Sequence, residues 1–396
     1  MKVIYVLSHS YRGDDYQNIT KLGSLVHLYA QKLNSYTDRY QVECWWTEPR
    51  LSSPMSAQED GITYRAFPAL SYKYPYRYIS LPLLKALKHE AGKGPVLFFL
   101  IGIKGKWTVF IPLFIKNVPI VMQQLTEGTG YSRARLKKRP WLLPLSVLEH
   151  MAYKNVDRFF LLFGRAKEEM ARYVEPERLN VIACGKDFEL FRPIDRNEAR
   201  DALGLDTKKH YILFVGRIND RKGVQYLIEA MPGILEEYPS TELLLVGPTR
   251  REEILSGLKD LTRRRGLDQH VRFMGSIEND RLPLFYNASD IFVLPSTTEG
   301  FPFVLLEAAG CNTPIVATEV GGIPEFMQMI KKGIMVPPGS PKDIAQAVKS
   351  VFRGPELYNN RLRDGVLQYS WENLLSKTVD VFEELRVQYF PDDTAA

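Results

Sequence analysis

Cysteine is scarce in this 396-residue sequence, and its three thiols exclude two common uses of the residue. Cys44, Cys184 and Cys311 lie far apart and include no C-x-x-C pair. Neither a disulfide framework nor a zinc site is therefore indicated. A reducing cytoplasm is the compartment that fits such a chain best, because disulfides persist mainly in oxidising surroundings.

Long apolar runs are also missing. A membrane-spanning helix needs about 18 or more consecutive apolar residues. The nearest stretch, Val96 to Ile115, is interrupted by Lys104-Gly105-Lys106, so no membrane span is predicted. Met1 to Leu7 has the pattern of a strand rather than of a charged region followed by a long apolar core, and we expect no secretion signal.

The chain lacks the short motifs with which many nucleotide-binding proteins hold phosphate. It contains neither G-x-x-x-x-G-K-[ST] nor G-x-G-x-x-G, which argues against a P-loop and against a dinucleotide fingerprint. Asp14-Asp15 and Asp392-Asp393 are not placed like a metal-binding D-x-D. We therefore expect no metal cofactor, and we expect cationic side chains to neutralise any phosphates of a ligand.

The composition is that of an ordinary globular protein, with 45% apolar and 25% charged residues. The length suffices for two domains that each bury a core. Strand-like segments such as Lys2 to Leu7 alternate with helix-like segments such as Trp107 to Lys116 and Trp371 to Tyr389, which predicts an α/β fold of doubly wound parallel sheets. The formal charge of +6 allows anionic partners without naming one.

One stretch near residue 300 predicts a βαβ unit. Ile291 to Leu294 and Pro314 to Ala317 are short apolar runs typical of buried parallel strands. Phe303 to Ala309, between them, predicts a helix. Pro302 suits the first helical position and Gly310 the position just past the helix end.

Two carboxylates in this unit are candidates for ligand binding. Glu307 lies among apolar residues of the helix, so its charge needs partners, and the two hydroxyls of a diol would supply them. Glu299 precedes the helix, where the backbone N–H groups of Gly300 and Phe301 form a site suited to phosphate. The alternative is that Glu299 is only a helix-start acid and that Glu307 points to solvent.

Glu299-Gly300-Phe301-Pro302 with Glu307 forms an E-x7-E pattern. This pattern resembles the signature of glycosyltransferase family 4, also called glycosyl transferases group 1, which comprises retaining GT-B enzymes that use nucleotide sugars. The resemblance implies two Rossmann-like domains facing a central cleft. It also implies that Glu299 lies at the donor sugar and phosphates, that Pro302 belongs to the donor site, and that Glu307 binds the ribose hydroxyls.

Two further segments complete the expected donor site. Gly216 to Gly223 follows a predicted strand and contains Arg217 and Lys222, a planar fork and a point charge that suit a pyrophosphate. The resemblance assigns both residues to the donor diphosphate. Family members also carry a glycine pair before the first helix, and here only Gly23 matches it, as the expected close-approach point to the donor phosphate. An ordinary helix-start glycine is the alternative.

One expected residue is absent. Family members usually place a histidine after the strand that matches Pro119 to Leu125, but no histidine follows that strand here. Glu127 lies in a glycine-flanked loop at the carboxyl edge of the predicted sheet, so we assign it as a catalytic candidate beside Glu299: a base toward the acceptor or a group that holds the sugar. A solvated loop glutamate is the alternative, and His9 is the next candidate.

We expect residues 1–193 to form an acceptor-side domain, residues 194–370 a nucleotide-sugar domain, and residues 371–396 a helix that crosses back to the first domain, as the resemblance implies. Cys184-Gly185-Lys186-Asp187 resembles the Asn-Gly-Val-Asp turn that closes the first domain in the family, and it departs from that turn at Cys184 and Lys186. The segment 131–148 combines basic with aromatic and aliphatic residues, which suits the headgroup layer of an anionic membrane better than nucleic acid. A solvated charge run before an ordinary core helix is the alternative. Its acid-free start contains Arg133, Arg135, Lys137, Lys138 and Arg139.

The sequence thus predicts a cytoplasmic retaining glycosyltransferase, peripheral on the inner face of the membrane where 131–148 binds it. It would move a hexosyl group from a UDP-, GDP- or ADP-sugar to an acceptor hydroxyl, for glycan, glycolipid or cell-envelope polysaccharide synthesis. The acceptor is either soluble or lipid-linked. Two alternatives stay open: a GT-B epimerase or phosphorylase, and a nucleotide-sugar-binding subunit with little activity of its own.

Overall fold

Two β-sheets organise the computed structural model, which describes residues 1–7, 25–70, 78–102, 107–124, 140–249, 251–359 and 361–391. The chain divides into two units, and each is built on one sheet. Unit 1 comprises Met1–Cys184 with Trp371–Ala396, and unit 2 comprises Gly185–Ser370. In the part of the chain described, no helix has both the length and the apolar character that a bilayer crossing requires.

The sheet of unit 1 has the strand order β3-β4-β2-β1-β5-β6-β7-β8, and all neighbouring strands are parallel except β3 and β4. Its central strands are buried on both faces, which explains their continuous apolar runs. The strands are β1 Lys2–Leu7, β2 Gln41–Glu48, β3 Met55–Glu59, β4 Ile62–Pro68, β5 Val96–Gly102, β6 Ile120–Gln124, β7 Arg158–Leu161 and β8 Leu179–Val181.

Sequence analysis missed β3, which is an exposed and largely polar edge strand. It pairs with β4 through a hairpin whose turn residues, Asp60 and Gly61, both have positive φ angles (51° and 76°). An Asp-Gly pair between two runs is itself a hairpin signal. The polarity of β3 hid this strand, because only its buried neighbour β4 shows an apolar run.

The helices of unit 1 cover this sheet. They are α1 Leu25–Tyr36, α2 Leu81–Ala91, α3 Leu143–Lys154, α4 Gly164–Met170 and, from the end of the chain, α14 Trp371–Tyr389. The helix predicted over Trp107 to Lys116 is a shorter 3₁₀ segment, Trp107–Leu113. Pro112 lies inside it and cannot donate a backbone hydrogen bond, which opposes a regular α-helix there.

Helix α14 packs within unit 1, with the span that its sequence predicts. Phe382 is fully buried and contacts the rings of Phe99 and Phe160 at centroid distances of 6.1 and 6.5 Å. Tyr40 donates a hydrogen bond of 2.6 Å to Glu383 on the same helix. The last helix therefore completes the core of the first unit.

Unit 2 has a parallel sheet with the strand order β11-β10-β9-β12-β13-β14. Its strands are β9 His210–Val215, β10 Thr241–Val246, β11 Val271–Gly275, β12 Ile291–Leu294, β13 Ile315–Thr318 and β14 Ile334–Val336. Its helices are α5 Arg196–Leu203, α6 Val224–Leu235, α7 Glu252–Arg264, α8 Leu282–Ala288, α9 Phe303–Gly310, α10 Ile323–Ile330, α11 Pro341–Arg353, α12 Glu356–Asn359 and α13 Leu362–Val366.

The first boundary between the units lies at Cys184–Gly185, earlier than the expected division after Pro193. Phe188 and Phe191 explain the difference. Arg363, a residue of unit 2, donates hydrogen bonds to the carbonyls of both phenylalanines, each at 2.7 Å. The segment after Gly185 is therefore anchored to unit 2 before the polar stretch from 194 begins.

Strand β9 lies between β10 and β12, so the strand order of unit 2 reverses between β9 and β12. Successive crossovers leave such a point in opposite directions, and the loops after the two strands separate to form a crevice. In open α/β sheets, ligands bind at the carboxyl edge at this point. The loops that follow β9 and β12 are therefore the first place to look for a site.

Candidate functional site

The loops after β9, β12 and β13 touch one another through glycines with left-handed backbone. Gly223 has φ +64°, and a Cβ built on it would lie 2.0 Å from the Pro295 carbonyl oxygen. Gly321 has φ +57°, and its Cβ would lie 1.9 Å from the Glu299 carbonyl oxygen. Only glycine tolerates both the conformation and the contact. These approaches bring Lys222 and Glu299 to one place.

Lys222 and Glu299 form an ion pair at this edge. The Lys222 Nζ lies 2.5 Å from Glu299 Oε1, and Ser296 Oγ donates to the same oxygen at 2.6 Å. Both side chains are mostly buried, with 19% and 10% exposure. Helix α9 has no side-chain capping bond, so Glu299 does not act as its cap. The alternative of a plain helix-start acid does not require the contacts with Lys222 and Ser296.

Arg217 lies in the same loop as Lys222, directly after Gly216, and its side chain is exposed. Gly216 has φ +152°, which turns the chain sharply at the end of β9. Among the residues that the structure describes, Arg217 has no hydrogen-bond or ion-pair partner. The loop after β9 thus presents one unpaired guanidinium beside one ammonium group that is already held by a carboxylate.

Glu307 is buried in α9, and its two oxygens have different partners. Lys186 Nζ lies 2.5 Å from Oε1, and the hydroxyl of Tyr286 donates to Oε2 at 2.7 Å. Burial raises the pKa of Tyr286 well above its usual value, and the neighbouring carboxylate adds to the rise. Tyr286 is therefore protonated and remains a donor. The alternative that Glu307 points to solvent is wrong, because only 8% of its side chain is exposed.

Lys186 and Tyr286 were not among the residues singled out from the sequence. Lys186 lies before α5, and its Nζ also lies 3.9 Å from the ring centroid of Phe191, a cation–π contact. A sequence signal for Lys186 existed, since it departs from the Asn-Gly-Val-Asp turn typical of the family. Its partner was not visible, because 121 residues separate it from Glu307.

The start of α9 differs slightly from the prediction. Pro302 is the N-cap residue with φ −83° and ψ 99°, and Phe303 is the first helical residue. The ring of Phe301 is buried and packs against Tyr369 at a centroid distance of 5.6 Å, so this side chain anchors the loop. The Gly300 carbonyl accepts a bond of 2.9 Å from the Gly322 N–H. The helix tip is thus fixed from both sides.

Gly310 is the last residue of α9 rather than the residue beyond its end. A Cβ at this position would lie 2.8 Å from the Phe191 carbonyl oxygen and 2.9 Å from the Phe188 ring. Glycine is therefore required for close packing, not for a left-handed helix end. The left-handed residue that follows the helix is Asn312, with φ +56°.

Several predicted residues lie outside the described ranges: Gly23, Glu127 and His9, together with the basic run 131–139. Within the described ranges, no group of three His, Cys, Asp or Glu residues is placed to hold a metal ion. The described site in unit 2 therefore consists of Arg217, Lys222, Glu299, Glu307 and the loop before α9.

Comparison with known proteins identifies this unit. The family described as "Glycosyl transferases group 1" matches residues 195–364. A D-inositol 3-phosphate glycosyltransferase 2 from Catenulispora acidiphila is 31% identical over 295 residues, which cover 68% of this chain and 67% of the relative. An uncharacterized glycosyltransferase, MJ1607 from Methanocaldococcus jannaschii, is 36% identical over 189 residues, 46% of this chain and 47% of the relative.

Several of the curated relatives align over only about half of their length, from 45% to 53%. Among solved structures, Anabaena Alr3699/HepE in complex with UDP aligns with a TM-score of 0.75 at 18% identity, over 97% of this chain and all of that one. This likeness concerns the fold, which is the two-domain Rossmann-like GT-B fold. The chain belongs to the glycosyl transferases group 1 family.

Proposed function

We propose that this protein transfers a hexosyl group from a nucleotide-sugar donor to an acceptor hydroxyl, with retention of anomeric configuration. The observation that carries the proposal is the Lys222–Glu299 pair beside the exposed Arg217, at the switch point of the unit 2 sheet. The donor is a UDP-, GDP- or ADP-sugar. Support for the first comes from Anabaena HepE, whose structure is known in complex with UDP-glucose.

The chemistry requires stabilisation of the nucleoside diphosphate as it leaves. Arg217 offers a planar fork for two phosphate oxygens, and Lys222 offers a point charge. The N-terminal end of α9 adds a positive dipole end nearby. Positive groups held in place before the reaction stabilise the developing charge at little reorganisation cost. Glu299 orients Lys222 and is positioned, in this proposal, to contact the donor sugar.

Glu307 retains capacity for a ribose diol. An ionised carboxylate has about four lone-pair sites, and Lys186 and Tyr286 occupy one on each oxygen. One lone-pair site on each Glu307 oxygen therefore remains to accept a hydrogen bond from a ribose hydroxyl. The protein partners also hold the carboxylate in one orientation, so binding loses little rotamer freedom.

A turnover assay with labelled nucleotide sugars tests the proposal. Lys222→Ala should lower kcat by about 10²–10³-fold, the usual loss when one charge-stabilising donor is removed, with a smaller change in KM. Lys209→Ala is the matched control, because Lys209 pairs with Glu242 at 2.6 Å next to the amino end of β9.

Glu127→Gln, in the same assay, should keep donor binding and lose transfer, as expected of a base toward the acceptor.

The outcomes separate the alternatives. Isomerised donor without transfer would identify an epimerase. Turnover that appears only after a second protein is added would identify a binding subunit. An inverted anomeric centre in the product, read by NMR, would contradict the retaining mechanism.

We further propose that the protein acts in the cytoplasm, peripheral on an anionic membrane face. Helix α3 begins within the segment 131–148 and continues beyond it. It exposes Leu143, Val147 and Met151, which repeat at every fourth residue on one face. Exposed apolar faces mark interaction sites, and the basic run before them in the sequence favours anionic headgroups.

A further inference from the structure

An apolar cavity of about 300 Å³ lies within unit 1, between α2, the 3₁₀ segment and α3. Its lining includes Leu84, Trp107, Phe114 and Leu148. The hydroxyl of Ser80, which also lines it, donates to the Pro68 carbonyl at 2.6 Å and accepts from the Leu83 N–H. The other polar side-chain atom among the described lining residues is the buried Nε1 of Trp107, which has no hydrogen-bond partner in the described part of the chain.

The size and chemistry of the cavity define what fits it. A dry cavity of about 150 Å³ is large enough for benzene, and ligand sites begin at about 300 Å³. The volume here suits a segment of hydrocarbon chain. A sugar or a nucleotide would lose most of its hydrogen bonds to water, because the lining offers little beyond the single Trp107 Nε1 donor, and each unpaired polar group that is buried costs free energy.

The surface beside the cavity points to the source of such a chain. Leu148 both lines the cavity and is partly exposed on α3, next to the apolar face at Val147. Trp141, just before α3, is 69% exposed. Trp is enriched where proteins meet the membrane–water interface. The cavity and the exposed apolar face of α3 therefore share one helix.

Charge decides between a membrane and a protein partner. The nine residues before Pro140 contain five basic residues and no acid. Juxtamembrane basic clusters are attracted to anionic lipid, and the adjacent apolar residues enter the acyl boundary. A protein partner would need a matching acidic surface as well as an apolar one, whereas an anionic membrane supplies both properties together.

We propose that this cavity binds one hydrocarbon chain of a membrane lipid, and that this lipid carries the acceptor hydroxyl. The second part rests on the proposed transferase function, whereas chain binding does not. Membrane binding through the α3 face and chain binding in the cavity are separate steps. The first brings the protein to the surface, and the second selects an acceptor with a hydrocarbon chain.

A fluorescent fatty acid, dansyl-undecanoic acid, tests chain binding without any donor. The wild-type protein should bind this probe saturably, with one site per protein molecule, at probe concentrations too low for micelles to form. Leu148→Trp should weaken binding at least tenfold, because the larger side chain fills the cavity. Val387→Trp is the matched control: it adds the same side chain at an exposed position of α14 that is not part of the lining.

Phe114→Trp, at a second exposed lining position, guards against an effect peculiar to α3 and should also weaken binding. Absence of saturable binding by the wild type would overturn the proposal, as would equal binding by all variants or equal loss with Val387→Trp. A donor-induced rise in melting temperature is measured on the same proteins. If donor did not raise the melting temperature of the wild-type protein, the result would count against the transferase function. It would not affect the conclusion on binding of the hydrocarbon chain.

Discussion

At the scale of single residues, Glu307 shows how a charge is kept inside an apolar helix. Lys186 compensates the carboxylate, and the protonated Tyr286 donates a second bond. The same environment raises the pKa of Cys311 to about 12, first through burial and then through the Glu307 charge. The Cys311 thiol is therefore protonated at neutral pH, and its reactivity is low because the thiolate is the nucleophile.

The ribose role of Glu307 leads to a measurable prediction. Glu307→Gln should weaken donor binding by about 1–3 kcal/mol, since a hydrogen bond to a charged group is replaced by one to an amide. Titration calorimetry with the preferred nucleotide sugar measures the change. Glu242→Gln is the control, because Glu242 is also a mostly buried carboxylate with cationic partners, Lys209 and Arg272. Unchanged donor affinity in a folded Glu307→Gln protein would remove the assignment.

At the scale of elements, α3 differs from an ordinary surface helix because large apolar side chains occur on its exposed face as well as among its buried residues, which also include Ser146 and Glu149. Its inner face is tied into unit 1 by Tyr153, which donates to Glu149 at 2.8 Å and accepts from Gln124 at 3.1 Å. A helix whose opposite face also consists of large apolar side chains is typical of an interface. The alternative from the sequence, a solvated charge run before an ordinary core helix, assigns no role to this exposed face.

Flotation with anionic liposomes tests the role of α3. The wild type should float at low salt and less at high salt, because each basic residue near the surface contributes about 1 kcal/mol and is screened by ions. A Val147→Ser and Met151→Ser double variant should float less, since it removes apolar area from the face. Val387→Ser, an equally exposed position on α14, is the control. Wild-type protein that stays in the soluble fraction at low salt would contradict membrane binding.

At the scale of the whole molecule, the chain places its last helix in the first unit and the residues of the proposed donor site in the second. Phe382→Ala should destabilise unit 1 by about 3–5 kcal/mol, the usual cost of removing a buried ring. A donor at 100 times its Kd should still stabilise unit 2 by about 2.7 kcal/mol. Calorimetric unfolding with and without nucleotide sugar measures both effects.

Val387→Ala, on the exposed side of α14, is the control and should unfold like the wild type. The reading of α14 as part of the unit 1 core would be wrong if Phe382→Ala left the unfolding profile unchanged. Loss of the donor effect in that variant would mean that the donor site depends on unit 1 as well.

Much of the architecture follows from local sequence, because apolar periods of two and of 3.6 residues are local properties. Lys2–Leu7 and Trp371–Tyr389 have the bounds that their patterns predict. The parallel α/β class and the family follow from the alternation of elements and from Glu299 and Glu307. The 3₁₀ segment at Trp107–Leu113 and the edge strand Met55–Glu59 do not, because an apolar run does not distinguish the helix types and an exposed strand has no apolar run.

The tertiary structure alone decided the partners of the charged residues. Lys222 and Glu299 are 77 residues apart, and Lys186 and Glu307 are 121 apart. Whether such residues meet depends on strand order and on glycine contacts between loops, and neither is a property of a local window. The requirement for glycine at position 310 likewise comes from Phe188 and Phe191, which lie far away in the chain. Local sequence thus determined the elements and the candidate acids, and long-range packing determined which cations they face.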